Sequence, residues 1–398
     1  MTRILNRREF AALMGGAAGL ALTARQASPI AIGPPSAGAL GELPRLMEIA
    51  GVPGIAACVV QDGKTVWQQF VGVIEAGTTK AVSPDTLVPA ASLGKPVFAH
   101  AVLRMVDEGR LALDKPLKSY VPDHAPADSR GDKIAARHVL SHSSGLRNWR
   151  NNRDQPLVPD FDPGTRFQYS GEGFYYLQRA VEKISGMAFE KYMQEHLFAP
   201  LGMTSSTYAW RADTDARLWI GHQRGAPQRP PSRDFSNRLF QFAQSQGKSL
   251  ASFTHEDIVA AMEQVKPAPP ALPNFMIPNS AGSMLTTVGD YASFVNRVLM
   301  PRKDDVDLRP ATHQQMLVPQ TKINSALSWG LGWGLESAAG RDYLWHWGDN
   351  GTYKNFVLAH PASRSAVLVF TNGSNGMRIA EHIVVSASGI EHPAFDWL

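Results

Sequence analysis

Apolar residues along this chain fall into two periods, and their order sketches an architecture. Ile55–Val60 and Thr65–Val73 are strand-like runs separated by Gln61-Asp62-Gly63-Lys64. An Asp-Gly between two apolar runs is a strong hairpin signal, because both central residues must accept positive φ. Leu40–Ala50 ahead of them has the spacing of a short amphipathic helix. The middle of the chain changes to helical spacing, with an apolar helix through Val97–Val106, then Gly171–Ser185, Ala188–Leu197 and Val288–Met300. Strand patterns return at Trp329–Glu336, Tyr343–Trp347, Tyr353–His360 and Ala366–Thr371, and Met377–Ser386 predicts a closing helix. Ala366–Thr371 is apolar on successive residues, which suits a central strand buried on both faces. Strands at both ends with helices between them predict an α+β fold: an antiparallel sheet built from the N- and C-terminal segments, flanked by helices, with a mainly helical subdomain inserted.

Composition narrows this picture. At 398 residues, 44% hydrophobic and 19% charged, the chain can bury a large core. The net charge of +4 invites a nucleic-acid reading, but Arg3, Arg7, Arg8 and Arg25 against Glu9 carry most of it within the first 39 residues. The rest is nearly neutral, so nucleic acid is not an expected partner. Residues 1–27, with an end that could extend to 39, read as an export signal. Asn6-Arg7-Arg8-Glu9-Phe10 resembles a twin-arginine motif, and the apolar run Ala11–Ala24 is too short to span a bilayer. The expected location is therefore periplasmic or secreted, without a stable membrane anchor. Residues 40–390 form the expected domain. Within it, about 209–279 is polar, arginine-bearing and ends in Lys266-Pro267-Ala268-Pro269-Pro270, an insertion that either borders the site or runs over the surface. Cys58, the single cysteine, sits in an apolar run and is expected in the core. There is no HExxH and no paired CxxC, so neither metal nor cofactor is expected.

The candidate chemistry begins at Ser92-Leu93-Gly94-Lys95, where a polar loop becomes the apolar helix. Positions i and i+3 share a helix face, so the lysine can reach the hydroxyl. Free N–H groups and the positive dipole end at a helix start stabilise an oxyanion. Proline forfeits no backbone hydrogen bond only among the first four helical residues, which argues for a start near Ser92 or Leu93 ahead of Pro96. Spacing alone does not separate a nucleophile from a helix-capping serine. A second Ser-x-x-Lys, Ser245-Gln246-Gly247-Lys248, lies in a polar stretch with no apolar helix after it.

Further stretches arrive in a fixed order: Leu113-Asp114-Lys115-Pro116-Leu117, His138-Val139-Leu140-Ser141-His142-Ser143-Ser144-Gly145-Leu146, Pro163-Gly164-Thr165 to Tyr169-Ser170, Phe198-Ala199-Pro200-Leu201-Gly202-Met203, Ala281-Gly282-Ser283-Met284, Trp329-Gly330-Leu331-Gly332-Trp333 and His346-Trp347-Gly348. Together with Ser92-x-x-Lys95 the set resembles the serine β-lactamase-related superfamily. That superfamily includes class C β-lactamases, penicillin-binding proteins, family VIII carboxylesterases and D-amino-acid peptidases.

The resemblance implies Ser92 as acyl-forming nucleophile, Lys95 lowering its pKa or taking its proton, and Tyr169 as phenolate or proton shuttle. It implies His346 where β-lactamases carry the lysine of Lys-Thr-Gly, and backbone N–H groups of Ser92 and Asp349 as the oxyanion hole. Gly171, Trp347 and Gly348 would contribute to the substrate pocket, and His142 would tie down its own loop. The Asp349 carboxylate is expected to turn away and cap the Asn350-Gly351 turn. Two departures bear on substrate. Gly171 stands where β-lactamases place an asparagine amide, and a neutral His346 attracts a carboxylate less than a lysine. Esters need the nucleophile and oxyanion hole but have an easier leaving group. The expectation is a carboxylesterase acting on small-molecule esters through an acyl-enzyme. The alternatives are a D-amino-acid peptidase or amidase, a weak β-lactamase or DD-peptidase, and a slowly turning-over penicillin-binding or cell-wall-sensing module. Oligomeric state is left open. No GxSxG occurs, so an α/β-hydrolase is unsupported.

Overall fold

The computed structural model describes residues 31–152, 155–229, 231–268 and 276–398. The arginine pair and the apolar run after it lie outside the described residues. The first helix among the described residues, α1 (Ala37–Ala50), is capped by Ser36, whose side chain accepts from the Ala39 N–H. It leads into β1 (Gly54–Gln61) and β2 (Lys64–Gly72), joined by Asp62 and Gly63 at φ 47° and 78°. These are the positive values a two-residue hairpin needs, and Asp-Gly supplies them at low strain.

The remaining strands come from the C-terminal part: β3 (Thr321–Lys322), β4 (Leu327–Trp329), β5 (Gly334–Ala338), β6 (Arg341–Asp349), β7 (Lys354–His360) and β8 (Ser365–Thr371). They form one eight-stranded antiparallel sheet in the order β2-β1-β8-β7-β6-β5-β4-β3. The N-terminal hairpin is closed onto the C-terminal strands by β1 and β8, with Cys58 opposite Leu368. Every residue of β8 is buried, as its unbroken apolar run predicted.

The two sheet faces separate by side-chain parity. Ile55, Ala57 and Val59 join Leu43 and Leu46 of α1 and Ile379 and Ile383 of the last long helix (Gly376–Ser388). Ala56, Cys58 and Val60 face the other way, into the core that holds the central helix, α2 (Gly94–Asp107). Burial pushes the Cys58 thiol up to about 12, so it behaves as a small apolar side chain. Helix α2 is buried on nearly every side, which fits its apolar composition.

One strand expectation is corrected. Trp329–Glu336 is two strands, broken by Gly330-Leu331-Gly332-Trp333. Gly332 has φ 93°, and a Cβ there would lie 2.3 Å from Ala99 Cβ of α2. This turn is pressed against the helix carrying Lys95. The two longer helices of residues 209–279, α3 (Pro231–Ser245) and α4 (His255–Gln264), pack in a small core where Trp210, Phe235, Leu239 and Ile258 meet Leu87, Tyr175 and Leu285 from the rest of the domain. Among the described residues no helix is long and apolar enough to cross a membrane.

Candidate active site

Ser92 sits in a single 3-10 turn, Ala91–Leu93, that runs directly into α2. The loop before it is held from several sides. Val88-Pro89 pairs with Leu285-Thr286, and Ala90 N–H donates to the Met284 carbonyl at 2.8 Å. The Tyr291 and Tyr208 phenols donate to the carbonyls of Leu93 and Gly94 at 2.9 and 2.7 Å. From the sheet, Asn355 Nδ2 donates to the Pro89 carbonyl at 2.9 Å. Gly348 of β6 approaches so closely that a Cβ there would lie 2.2 Å from the Ala90 oxygen. A side chain at 348 would push the strand off the loop that carries Ser92. Ala91 adopts φ 52°, a left-handed value that costs an L-residue roughly 1–2 kcal/mol. His142, also at φ 52°, carries similar strain.

Lys95 Nζ lies 3.0 Å from Ser92 Oγ and donates to the Ala281 carbonyl at 2.7 Å. It is buried, and desolvation pulls its pKa well below the ordinary lysine range. An uncharged amine with its lone pair toward a serine hydroxyl is a competent base. The same Nζ stands 4.7 Å from the centroid of the Tyr169 ring. Burial pushes the Tyr169 phenol above its ordinary value, opposed by the neighbouring Ser92 hydroxyl and reinforced by the Asp349 charge. Its oxygen is buried with no hydrogen-bond partner among the described residues.

Two histidines complete the cluster. His346 is fully buried on β6, and its pKa is depressed to about 3, mainly by burial and also by Lys95. Its Nδ1 lies 2.8 Å from the Trp347 carbonyl, which can only accept, so Nδ1 holds the proton and Nε2 is a bare acceptor. That Nε2 has no partner among the described residues. His142 shows the opposite tautomer: the Ser170 N–H donates to its Nδ1 at 3.0 Å, which leaves the proton on Nε2. The His142 ring stacks on Tyr169 with centroids 4.1 Å apart. It thus braces the phenol as well as its own loop.

Ser92 opens onto a cavity of about 570 Å³. Its wall includes Asn148, Trp149, Tyr208, Trp210, Arg233, Ser236, Met276, Asp349 and Tyr353. The segment 209–279 therefore borders the site. Of the expected pocket residues, none is part of this described wall. Trp149 covers Gly171, where a Cβ would lie 2.4 Å from the indole. Trp347 packs on Tyr169 and Trp397 at 4.7 and 5.3 Å, and Gly348 is closed against Ala90. The Asp349 carboxylate turns as expected, accepting from the Gly351 N–H at 2.7 Å and pairing with Lys354 at 2.6 Å. Asn148, Trp149 and Arg233 were not among the sequence candidates. Asn148 Oδ1 accepts from the Gly171 N–H at 2.9 Å, which brings an amide beside the position that lacks the asparagine. The one available signal was Gly171 itself, since a missing side chain leaves room that another residue must fill.

The profile of the beta-lactamase family matches residues 42–385, and the chain belongs to that family of serine hydrolases. Esterase EstB of Burkholderia gladioli is 27% identical over 210 residues, covering 46% of this chain and 53% of that protein. The D-alanyl-D-alanine-carboxypeptidase/endopeptidase AmpH of Escherichia coli K12 is 24% identical over 199 residues, covering 45% and 51%. The chain thus spans about half the length of these curated relatives. The crystal structure of D-alanine carboxypeptidase AmpC from Burkholderia cenocepacia superposes with a TM-score of 0.67 at 18% identity, covering 88% of this chain and 97% of that one. At that identity the likeness speaks for the fold.

Proposed function

We propose that the protein hydrolyses small carboxylic esters through an acyl-enzyme on Ser92. The observation that carries this reading is the buried Lys95 amine 3.0 Å from Ser92 Oγ at the edge of an open cavity. Ser92 attacks the ester carbonyl while its proton passes to Lys95. Backbone N–H groups of Ser92 and Asp349 hold the oxyanion. The tetrahedral adduct collapses, and the departing alkoxide takes a proton from Tyr169, which regains one from the Lys95 ammonium. Water then attacks the acyl-enzyme, giving its proton to Lys95. The acid product leaves, and Ser92 recovers the proton. The raised phenol pKa supports Tyr169 as a protonated shuttle rather than a phenolate. Neutral His346 contributes an uncharged acceptor to the cluster. Asn148 Nδ2, with Oδ1 held by Gly171, is suited to the substrate carbonyl that an asparagine at 171 would have met.

Esters are favoured over β-lactams because burial drives Lys95 and His346 toward their neutral forms, so neither offers a fixed cation where the family resemblance places the β-lactam carboxylate. Steady-state hydrolysis of 4-nitrophenyl butyrate, nitrocefin and a D-aminoacyl anilide on one preparation tests this. We expect the ester to turn over fastest and Ser92→Ala to abolish it. Faster nitrocefin hydrolysis would make the protein a β-lactamase, and faster anilide cleavage a D-amino-acid peptidase. Stoichiometric acylation without turnover would make it a sensor. Export by a twin-arginine signal in residues 1–27 belongs to the same proposal, and loss of secretion in Arg7→Lys/Arg8→Lys tests it.

A further inference from the structure

The Ser92 cavity carries a cation that the acylation chemistry does not use. Arg233 lies in the first turn of α3, within the segment 209–279, and its side chain is mostly buried on the cavity wall. Nη2 pairs with Asp215 at 2.7 Å. Nη1 is buried with no hydrogen-bond partner among the described residues. The guanidinium carbon stands 6.0 Å from the Trp210 ring centroid, and its charge is felt by the Tyr353 phenol. Trp210 and Tyr353 line the same cavity. A buried guanidinium N–H without an acceptor is costly, and such groups normally have a partner.

The other charges nearby are already committed. Asp349, the remaining charged side chain among the described wall residues, is held by Lys354 and the Gly351 N–H. Lys95 and His346 are driven toward their neutral forms. A fixed cation is therefore missing at His346, whereas a guanidinium stands on the cavity wall contributed by residues 209–279.

We propose that Arg233 is the anion-recognising residue of this cavity and that the substrate is an ester carrying a carboxylate. This rests on the acyl-enzyme reading of Ser92. Arg233 contacts the charged end of the substrate, away from the reacting carbonyl, so it contributes uniform binding and acts on KM rather than kcat. Trp210 and Trp149 supply the apolar surface along which the rest of the substrate lies.

The test compares two ester pairs: mono-4-nitrophenyl glutarate with 4-nitrophenyl valerate, and 3-carboxyphenyl valerate with phenyl valerate. The first pair places the carboxylate on the acyl side, the second on the leaving group. In one pair or the other the wild-type protein should favour the charged ester by about tenfold or more in kcat/KM, chiefly through KM, as expected for a charge-assisted hydrogen bond. Arg233→Gln should erase that preference, costing the charged ester about tenfold or more in kcat/KM relative to the neutral one, chiefly through KM. Asp215→Asn breaks the same ion pair but keeps the guanidinium, and should retain or strengthen the preference. No preference in either pair, or equal losses on both esters in Arg233→Gln and Asp215→Asn, would overturn the proposal and leave Arg233 a prop for α3. If no ester turns over at all, the reading of Ser92 fails as well, and the two failures are told apart by the neutral esters.

Discussion

Ser92-Leu93-Gly94-Lys95 and Ser245-Gln246-Gly247-Lys248 have the same spelling and opposite settings. Ser92 precedes a buried helix, whereas Ser245 is the last residue of α3 and donates to the Phe242 carbonyl at 2.8 Å. The helix end that faces Ser92 is positive, and the one beside Ser245 is negative. Lys95 is sealed from water with a carbonyl and a hydroxyl for partners, while Lys248 is more than half exposed and 3.8 Å from Asp257. Both pairs satisfy the spacing. Only the first is also given burial, a helix start and the converging Tyr169 and His346. Reactivity therefore lies in the environment that the fold builds around the motif.

The largest separation should come from the serines. Ser92→Ala is expected to lower kcat/KM for a nitrophenyl ester by about 10⁴-fold or more, and Ser245→Ala by no more than about twofold. Ester assays on the two variants check this directly. The lysines come next. Lys95→Met should cost about 10²- to 10⁴-fold in rate, as removal of a positioned base does, with Lys248→Met near wild type.

Lys95→Met should also raise stability by roughly 1 kcal/mol at neutral pH, because a buried polar amine is replaced by an apolar chain of similar length. The sign follows from linkage. Burial lowers the folded-state pKa, so the unfolded chain binds a proton that the folded chain does not. The wild-type penalty grows as pH falls from the ordinary lysine range toward the folded value. The stability gap between Lys95→Met and wild type should therefore shrink as pH is raised toward about 10.4. Denaturant melts at several pH values would show it, and a pH-independent gap would contradict the buried-base assignment.

The glycines give the smallest contrast. Gly348→Ala must displace the Ala90 backbone and should cost up to about 3 kcal/mol together with much of the activity. Gly247→Ala meets open space at φ 67° and should cost about 1 kcal/mol through backbone strain alone, with activity intact. Thermal melts of both variants separate the two effects.

Much of this was legible along the chain. Apolar runs marked β1, β2, β7 and β8, and Pro96 located the start of the helix that carries Lys95. The turn at Asp349 followed from its Asn350-Gly351 neighbours. What escaped depends on contacts between distant segments. The break in Trp329–Glu336 exists because Gly332 abuts Ala99, a contact that alternation along one strand cannot encode. Trp149 fills the space that Gly171 leaves, and Arg233 reaches the cavity from a helix far along the chain. The shift of Lys95 and His346 toward their neutral forms comes from burial, which is a property of the assembled core.

The central claim is that Ser92, and not its double at 245, is the reactive serine with Lys95 as its base. Labelling with a fluorophosphonate across a pH series, followed by peptide mapping, tests it most directly. The account predicts an adduct on the Ser92 peptide alone, forming at near-maximal rate at neutral pH, slowing as acid protonates Lys95, and lost in Lys95→Met. An unlabelled Ser92 at neutral pH, or labelling of Ser245 at a comparable rate, would contradict it.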